Sequence, residues 1–346
     1  MKRWRVGLVG SGWAAGAHLG AHNLIDGCEV VAVCSSRDPD PREFADRDGR
    51  PLEVVRDFAD LIARPDIDVI DICSRSNLHP AQAIAAAQAG KHLIIEKPIG
   101  LTLDEMRAVE AAVAAAGVRT CVCLQVRFGR QFTMTRALID GDLIGPVHYA
   151  EVDYNHHIGP EVGQYEWNLR RDGGGSTLLT AGCHALDGLL MFLGSDITEV
   201  TSYETSSPHP NFSRYEYATS SVTVLRYANG AIGKVASVVD SHQPYYLRVY
   251  LVGRDGTILD GKLWSDRIAG LDPDRWTELG VKLESVIEDI DDAYTPQFQE
   301  FYDALNDDRE MARTSLADAV QTFEVVFAAD RSAALGRTVA MSEITG

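Results

Sequence analysis

Over its first third the chain alternates short β-branched and apolar runs with stretches whose apolar positions recur every three or four residues. Five runs, at 5–9, 29–34, 69–73, 92–95 and 120–124, predict strands, and the stretches between them predict helices. The first helix covers about 13–25 and another about 80–89, with Pro80 suited to a first turn and Gly90 to the position just past a last one. A third begins at Thr102, where Thr102 and Glu105 form a capping box and Met106, Val109 and Val113 mark the apolar face. Strand and helix in alternation predict a doubly wound parallel sheet, a Rossmann domain over residues 1–124.

The pattern then changes, and residues 125–346 read as a separate α+β domain. Residues 147–155 alternate like a strand, a glycine run follows at 173–175, and 178–193 reads as a helix closed by Gly194. Strands dominate 197–260, with Asn229-Gly230 and Asp255-Gly256 as hairpin turns, which predicts an antiparallel meander. Residues from 296 to about 335 are helical again.

Length and charge narrow the partners. A chain of 346 residues exceeds the size at which one core stops growing, so two domains are expected. A formal net charge of -18 repels phosphate backbones and anionic lipid, which argues against nucleic acid and membrane surfaces as partners. No apolar run approaches the roughly 20 residues that span a bilayer. The N-terminal MKRWRVGLVGSGW is too short in its apolar part for a secretion signal and reads as a first strand. Six scattered cysteines, with no His or Cys cluster beside Cys121 and Cys123, predict buried free thiols in a reducing cytoplasm and no metal site.

Gly10-Ser11-Gly12-Trp13-Ala14-Ala15 follows the first strand and opens the first helix, a G-x-G-x-x-A dinucleotide fingerprint. Gly10 permits the tight turn, Gly12 lets pyrophosphate approach the backbone, and the amides of Trp13 and Ala14 belong to the helix N-terminus that receives it. The second strand runs into Ser35-Ser36-Arg37, with no acid before Asp38. Two hydroxyls and a guanidinium suit a 2′-phosphate, favouring NADP(H), with NAD(H) possible; the alternative is a solvated Arg37 with Asp38 turned to the ribose.

Ligands of such sheets bind beyond the carboxyl ends of the strands. Two segments lie there: one carrying Ser74, Asn77 and His79, the other Glu96 and Lys97, all assigned to the cofactor side. The Lys97 ammonium, placed there, can polarise a carbonyl or hydroxyl oxygen; its alternative is a surface lysine capping the next turn.

Four ordered motifs, GLVGSGWAAGAH, NLHPAQAIAAAQAGKHLIIEKP, Arg127-Phe128 and GGGSTLLTAGCHALD, resemble the Gfo/Idh/MocA oxidoreductases, which include glucose–fructose oxidoreductase and inositol dehydrogenases. The resemblance covers nearly the whole chain. It implies a Rossmann domain followed by a domain with a large open sheet, through which relatives associate, so a homodimer or homotetramer is expected. It also implies that Lys97 and His184 are catalytic, His184 exchanging a proton with a substrate hydroxyl as hydride moves. Thr180, His184 and Asp187 fall at i, i+4 and i+7 on one helix face, so Asp187 can orient His184, a cap or surface role being the alternative.

The chain departs from the family at Thr180, where many members carry Asp. A threonine cannot share a proton as that acid does, though it can hydrogen-bond substrate, and the usual relay is in question. Further substrate candidates are Arg127, Tyr154, His156, Trp167 and Arg170, with His242 behind them. His156 and His157 are adjacent, so on a strand only one faces the site. The expected substrate is a sugar, a polyol or a related carbonyl. A cofactor-retaining, redox-assisted glycosidase and a non-catalytic NADP(H)-binding sensor are the alternatives.

Overall fold

The structure is a computed structural model that describes residues 2–280 and 290–346. Two compact units are present, Met1–Gln125 with Ile290–Val320, and Val126–Asp289 with Gln321–Gly346.

The first unit holds a six-stranded, fully parallel sheet in the order β3-β2-β1-β4-β5-β6. Its strands are β1 (Trp4–Val9), β2 (Cys28–Cys34), β3 (Glu53–Val55), β4 (Val69–Ile72), β5 (His92–Ile95) and β6 (Thr120–Val122). The central strands are nearly continuous apolar runs because helices cover both faces; Val6, Leu8, Val69, Ile70, Ile72, Leu93, Ile94 and Ile95 are inaccessible to solvent. The helices are α1 (Trp13–Leu24), α2 (Phe58–Ala63), α3 (His79–Gln88) and α4 (Leu103–Ala116). The expected capping box of α4 is present, with Thr102 accepting from the Glu105 amide. Strand β3 and helix α2 were not expected, being short and polar at their edges.

The division differs from a boundary that gives all of 125–346 to the second unit, because the helix Ile290–Asn306 packs on α1. Tyr294, Phe298 and Tyr302, spaced four apart, form a buried stripe on this helix. Phe298 stacks on His22 with centroids 4.8 Å apart, and Tyr294 lies 4.6 Å from the His18 ring. Full burial of one such ring contributes about 2–3 kcal/mol, enough to fix where this helix docks. The expected C-terminal helical region comprises the helices Ile290–Asn306 and Leu316–Leu335.

The second unit is built on a nine-stranded sheet, β14-β13-β12-β11-β7-β10-β9-β8-β15. The strands are β7 (Val147–Asn155), β8 (Ile197–Thr205), β9 (Ser220–Tyr227), β10 (Ile232–Val238), β11 (Tyr246–Gly253), β12 (Gly256–Leu259), β13 (Lys262–Ser265), β14 (Thr277–Glu278) and β15 (Val339–Ala340). Every neighbouring pair is antiparallel except β7 with β10. The expected meander is therefore interrupted: β7 inserts between β10 and β11, and its carboxyl end lies beside that of β10.

Its helices include α5 (Arg130–Asp140), α6 (Tyr165–Asn168), α7 (Arg171–Gly174) and α8 (Cys183–Leu193). Helix α8 packs on β7 and β10, preceded by a π-helical turn, Leu178–Gly182. Contrary to the hydropathy reading, one helical stretch, Arg171–Leu193, is long and apolar enough to cross a membrane by length and composition. Its most apolar window is 89% buried, so the protein core accounts for that character. On the sheet face, Tyr203, Val222, Val224 and Ile232 are exposed.

Candidate functional site

At the head of α1, Gly10 has φ +111° and a Cβ there would stand 2.6 Å from the Cys73 carbonyl oxygen, so the turn requires glycine. A Cβ on Gly12 would meet nothing within 4 Å. Gly12 is the N-cap, no side chain caps the helix, and its first turn carries no acid, which leaves the amides of Trp13, Ala14 and Ala15 to an anion. Open space, bare amides and a dipole of the right sign fit a dinucleotide pyrophosphate.

Beyond β2, Ser35 Oγ pairs with Ser11 Oγ at 2.9 Å and accepts from the Arg37 amide. Ser36 and Arg37 are exposed. The Asp38 carboxylate is held by Arg56, which also donates to the Ser35 carbonyl at 3.2 Å. Arg56 follows β3, and the sequence missed it because the Glu53-Val54-Val55 run was not read as a strand.

The segments after β4 and β5 are tied together. The Nδ1 of buried His79 lies 2.8 Å from the Pro98 carbonyl and its Nε2 3.0 Å from the Ser74 carbonyl, so the neutral ring donates to one of the two. Burial pushes its pKa down despite both carbonyls. Its ring thus ties the segment after β4 to the segment after β5. Ser74 Oγ donates to Gln82 at 2.5 Å, Asn77 is exposed, and Lys97 is half-buried.

Glu96 also points inward. Its Oε1 accepts from Tyr294 at 2.6 Å and from His18 Nε2 at 3.2 Å, and its Oε2 accepts from the Lys97 amide at 2.9 Å. Burial alone would raise its pKa, but the His18 bond and charge, Lys97 and Tyr294 outweigh that and hold it at about 2.

Beneath this turn, the fold gathers groups that are far apart in sequence. His18 Nδ1 bonds both oxygens of Asp71, at 2.9 and 3.0 Å, and Cys73 Sγ lies 3.1 Å away. Asp71 also holds His22 Nε2 at 2.9 Å, while His22 Nδ1 receives Tyr302 at 3.0 Å. His22 is therefore a neutral tautomer, whose pKa burial lowers. Two groups, His18 with Asp71 and Cys73, and His18 with Glu96 and Cys123, bring possible metal-ligand atoms within 4.8 Å of one another, a proximity that the spacing of the cysteines did not reveal. Both nitrogens of His18 are occupied by carboxylates at hydrogen-bond distance, an arrangement that protons complete.

In the second unit, His184 sits in the first turn of α8, almost wholly buried, its ring stacked on Tyr154 at 6.4 Å and 21°. Tyr154 Oη lies 3.0 Å from His156 Nδ1, and the Tyr245 ring packs edge-on against both, at 5.3 and 5.1 Å. Burial pushes the Tyr154 phenol pKa up, so the hydroxyl stays protonated and donates. His157 points the other way, to Phe212 and His242, and gives its Nδ1 proton to the Ser241 carbonyl at 3.0 Å. His242 belongs to that second group rather than to the Tyr154 cluster.

Thr180 lies in the π-helical turn and donates to Asn168 Oδ1 at 2.9 Å. The Asn168 carbonyl accepts from Tyr217 at 2.7 Å, and a Cβ on Gly174 would stand 2.3 Å from that Tyr217 hydroxyl. The glycine run is thus shaped by packing. Arg127 is buried and grips Asp187 through two 2.6 Å bonds; Asp187 also accepts from Thr322 at 2.7 Å. Arg127 and Asp187 thus hold each other within this unit, with Thr322 as a further donor to Asp187. Trp167 is half-buried, and Arg170 is exposed and paired with Asp172 at 2.8 Å. Tyr245 and Asn168 were missed, since each stands in a loop or a four-residue helix without periodic pattern.

Two family models match: GFO/IDH/MocA oxidoreductase family, NAD-binding Rossmann fold, over residues 4–124, and the GFO/IDH/MocA C-terminal domain over residues 132–259. The chain is 25% identical to the uncharacterized oxidoreductase YrbE of Bacillus subtilis, over 97% of this chain and 96% of that one. It is 24% identical to the myo-inositol 2-dehydrogenase of Thermotoga maritima, over 99% and 100%. A levoglucosan dehydrogenase solved with NADH and levoglucosan has the same fold, with TM-score 0.83, 22% identity, and 98% and 100% covered.

Proposed function

The chain belongs to the Gfo/Idh/MocA oxidoreductase family, and on that premise we propose that it is an NADP(H)-dependent dehydrogenase or reductase of a sugar, polyol or related hydroxy or keto compound. The observation that carries this reading is the head of α1, where an open Gly12 and uncapped amides leave room for a pyrophosphate. When bound, the nicotinamide accepts or gives a hydride.

Ser35, Ser36, Arg37 and Arg56 hold the 2′-phosphate in this reading. The engagement of Asp38 by Arg56 supports NADP(H) over NAD(H), because it withdraws the nearest carboxylate. The Lys97 ammonium hydrogen-bonds the reacting oxygen and stabilises negative charge there. The His184 imidazole takes the hydroxyl proton on oxidation and returns it on reduction. Tyr154, His156 and Tyr245 offer donors, acceptors and ring faces suited to a polyhydroxylated ring. A carbohydrate-like substrate is further supported by the inositol and levoglucosan dehydrogenases it resembles. Thr180, bonded to Asn168, shapes this cluster without acting as an acid.

A homodimer or homotetramer is part of the proposal, supported by the exposed Tyr203, Val222, Val224 and Ile232 on the sheet face. So is a cytoplasmic setting, supported by six buried, unbridged thiols. Net reduction of NADP⁺ by one member of a polyol and sugar panel tests the activity, and light scattering tests the association.

A further inference from the structure

The Lys97 turn hangs on a side chain that lies wholly in the core. Lys97 receives its position through its own amide, which donates to Glu96 Oε2 at 2.9 Å, and the other Glu96 oxygen is held by Tyr294 and His18. His18 is in turn anchored on Asp71 at 2.9 and 3.0 Å and is inaccessible to solvent. Both ring nitrogens face carboxylates, which accept only, so both must carry protons. An imidazolium therefore bridges two buried acids, and leaving either acid unpaired would be costly.

We infer that His18 is a positioning residue for Lys97: its Nε2–H fixes the Glu96 carboxylate, which fixes the Lys97 backbone. This rests on the role given to Lys97 above. The groups that face His18 are Asp71 and Cys73 at β4, Glu96 at β5, Cys123 after β6, Tyr294 on the C-terminal helix and His22 on its own helix. Burial alone would lower the His18 pKa, but Asp71 and Cys73 together outweigh it and raise it well above the usual imidazole value.

Two replacements separate the two ends of the ring. In His18→Asn the amide reaches the Asp71 end only, and in His18→Gln it reaches towards Glu96. Amide hydrogen exchange at Lys97 reads the effect without any substrate, with the Leu93 and Ile94 amides of β5 as an internal check on the fold. The expected result is exchange at Lys97 about ten-fold or more faster in His18→Asn, near wild type in His18→Gln, and unchanged at β5 in both. An unchanged Lys97 amide in His18→Asn, or equal acceleration in both variants, overturns the inference. Turnover then distinguishes this failure from that of the underlying reading. If Lys97→Ala keeps wild-type kcat, the role of Lys97 is wrong. If Lys97→Ala is inactive while His18→Asn keeps wild-type kcat, only the His18 inference is wrong.

Discussion

Arg127 holds Asp187 in a two-pronged pair, Nε to Oδ2 and Nη2 to Oδ1, each at 2.6 Å, with the Asp187 side chain fully buried. Removing one member strands the other charge in the core, which costs about 3–5 kcal/mol. Asp187→Ala is expected to lower the denaturant midpoint of the protein by a corresponding amount, and Arg127→Met paired with Asp187→Leu to recover most of it. Equal loss in the single and the double variant would contradict this account of the pair.

Gly10 and Gly12 stand two residues apart and are constrained differently. Gly10→Ala strains a left-handed backbone and drives a Cβ into the Cys73 carbonyl, so Tm should fall by the equivalent of about 1–3 kcal/mol. Gly12→Ala meets no protein atom within 4 Å and should leave Tm unchanged. It should still raise the Kd for NADP(H) by about ten-fold or more, since the pyrophosphate needs that space. Calorimetric titration and thermal melts of the two variants read both effects.

Arg37 and Arg56 flank the Ser35–Ser36 corner. Charge-assisted bonds to a phosphate contribute about 1.5–3 kcal/mol each, so Arg37→Ala with Arg56→Ala should raise KM for NADP⁺ by about a hundredfold or more and leave that for NAD⁺ nearly unchanged. A parallel rise for both cofactors would point to a structural role for Arg56.

Asp330 supplies a pH dependence. Burial raises its pKa to about 7, with Glu204 adding to that and Ser176 and Arg171 opposing it, and its Oδ1 accepts no hydrogen bond. An unfolded aspartate titrates near 3.9, at about that value. Folding therefore takes up a proton between those values, and stability falls as pH rises through about 7. Asp330→Asn should raise Tm relative to wild type at pH 8, with a clearly smaller gain at pH 5; melts at the two pH values check it.

The sequence made the first unit legible because its central parallel strands are buried on both faces and α4 carries its own capping box, Thr102 with Glu105. It did not reveal that Tyr294, Phe298 and Tyr302 dock on α1, since an apolar stripe shows that a helix packs but not on what. At the candidate site, alternation continued past the end of β7 separates His156 from His157, and the structure places them in different clusters. That Glu96 and His79 turn inward was not legible, because adjacency to Lys97 and to strand ends says nothing about which way a side chain turns. The π-helical turn at Leu178–Gly182 and the approach of Asn168 to Thr180 depend on long-range packing that no local pattern encodes.

The most direct test of the central claim is the near-ultraviolet absorbance of reduced nicotinamide, followed with the purified protein, NADP⁺ or NAD⁺, and a panel of inositols, sugars and anhydrosugars. The account predicts net cofactor reduction with at least one of them, faster with NADP⁺. It also predicts kcat lower by about a hundred- to a thousandfold in Lys97→Ala and in His184→Ala. Bond cleavage in a glycoside with no net change in cofactor, or full activity in both variants, would contradict it.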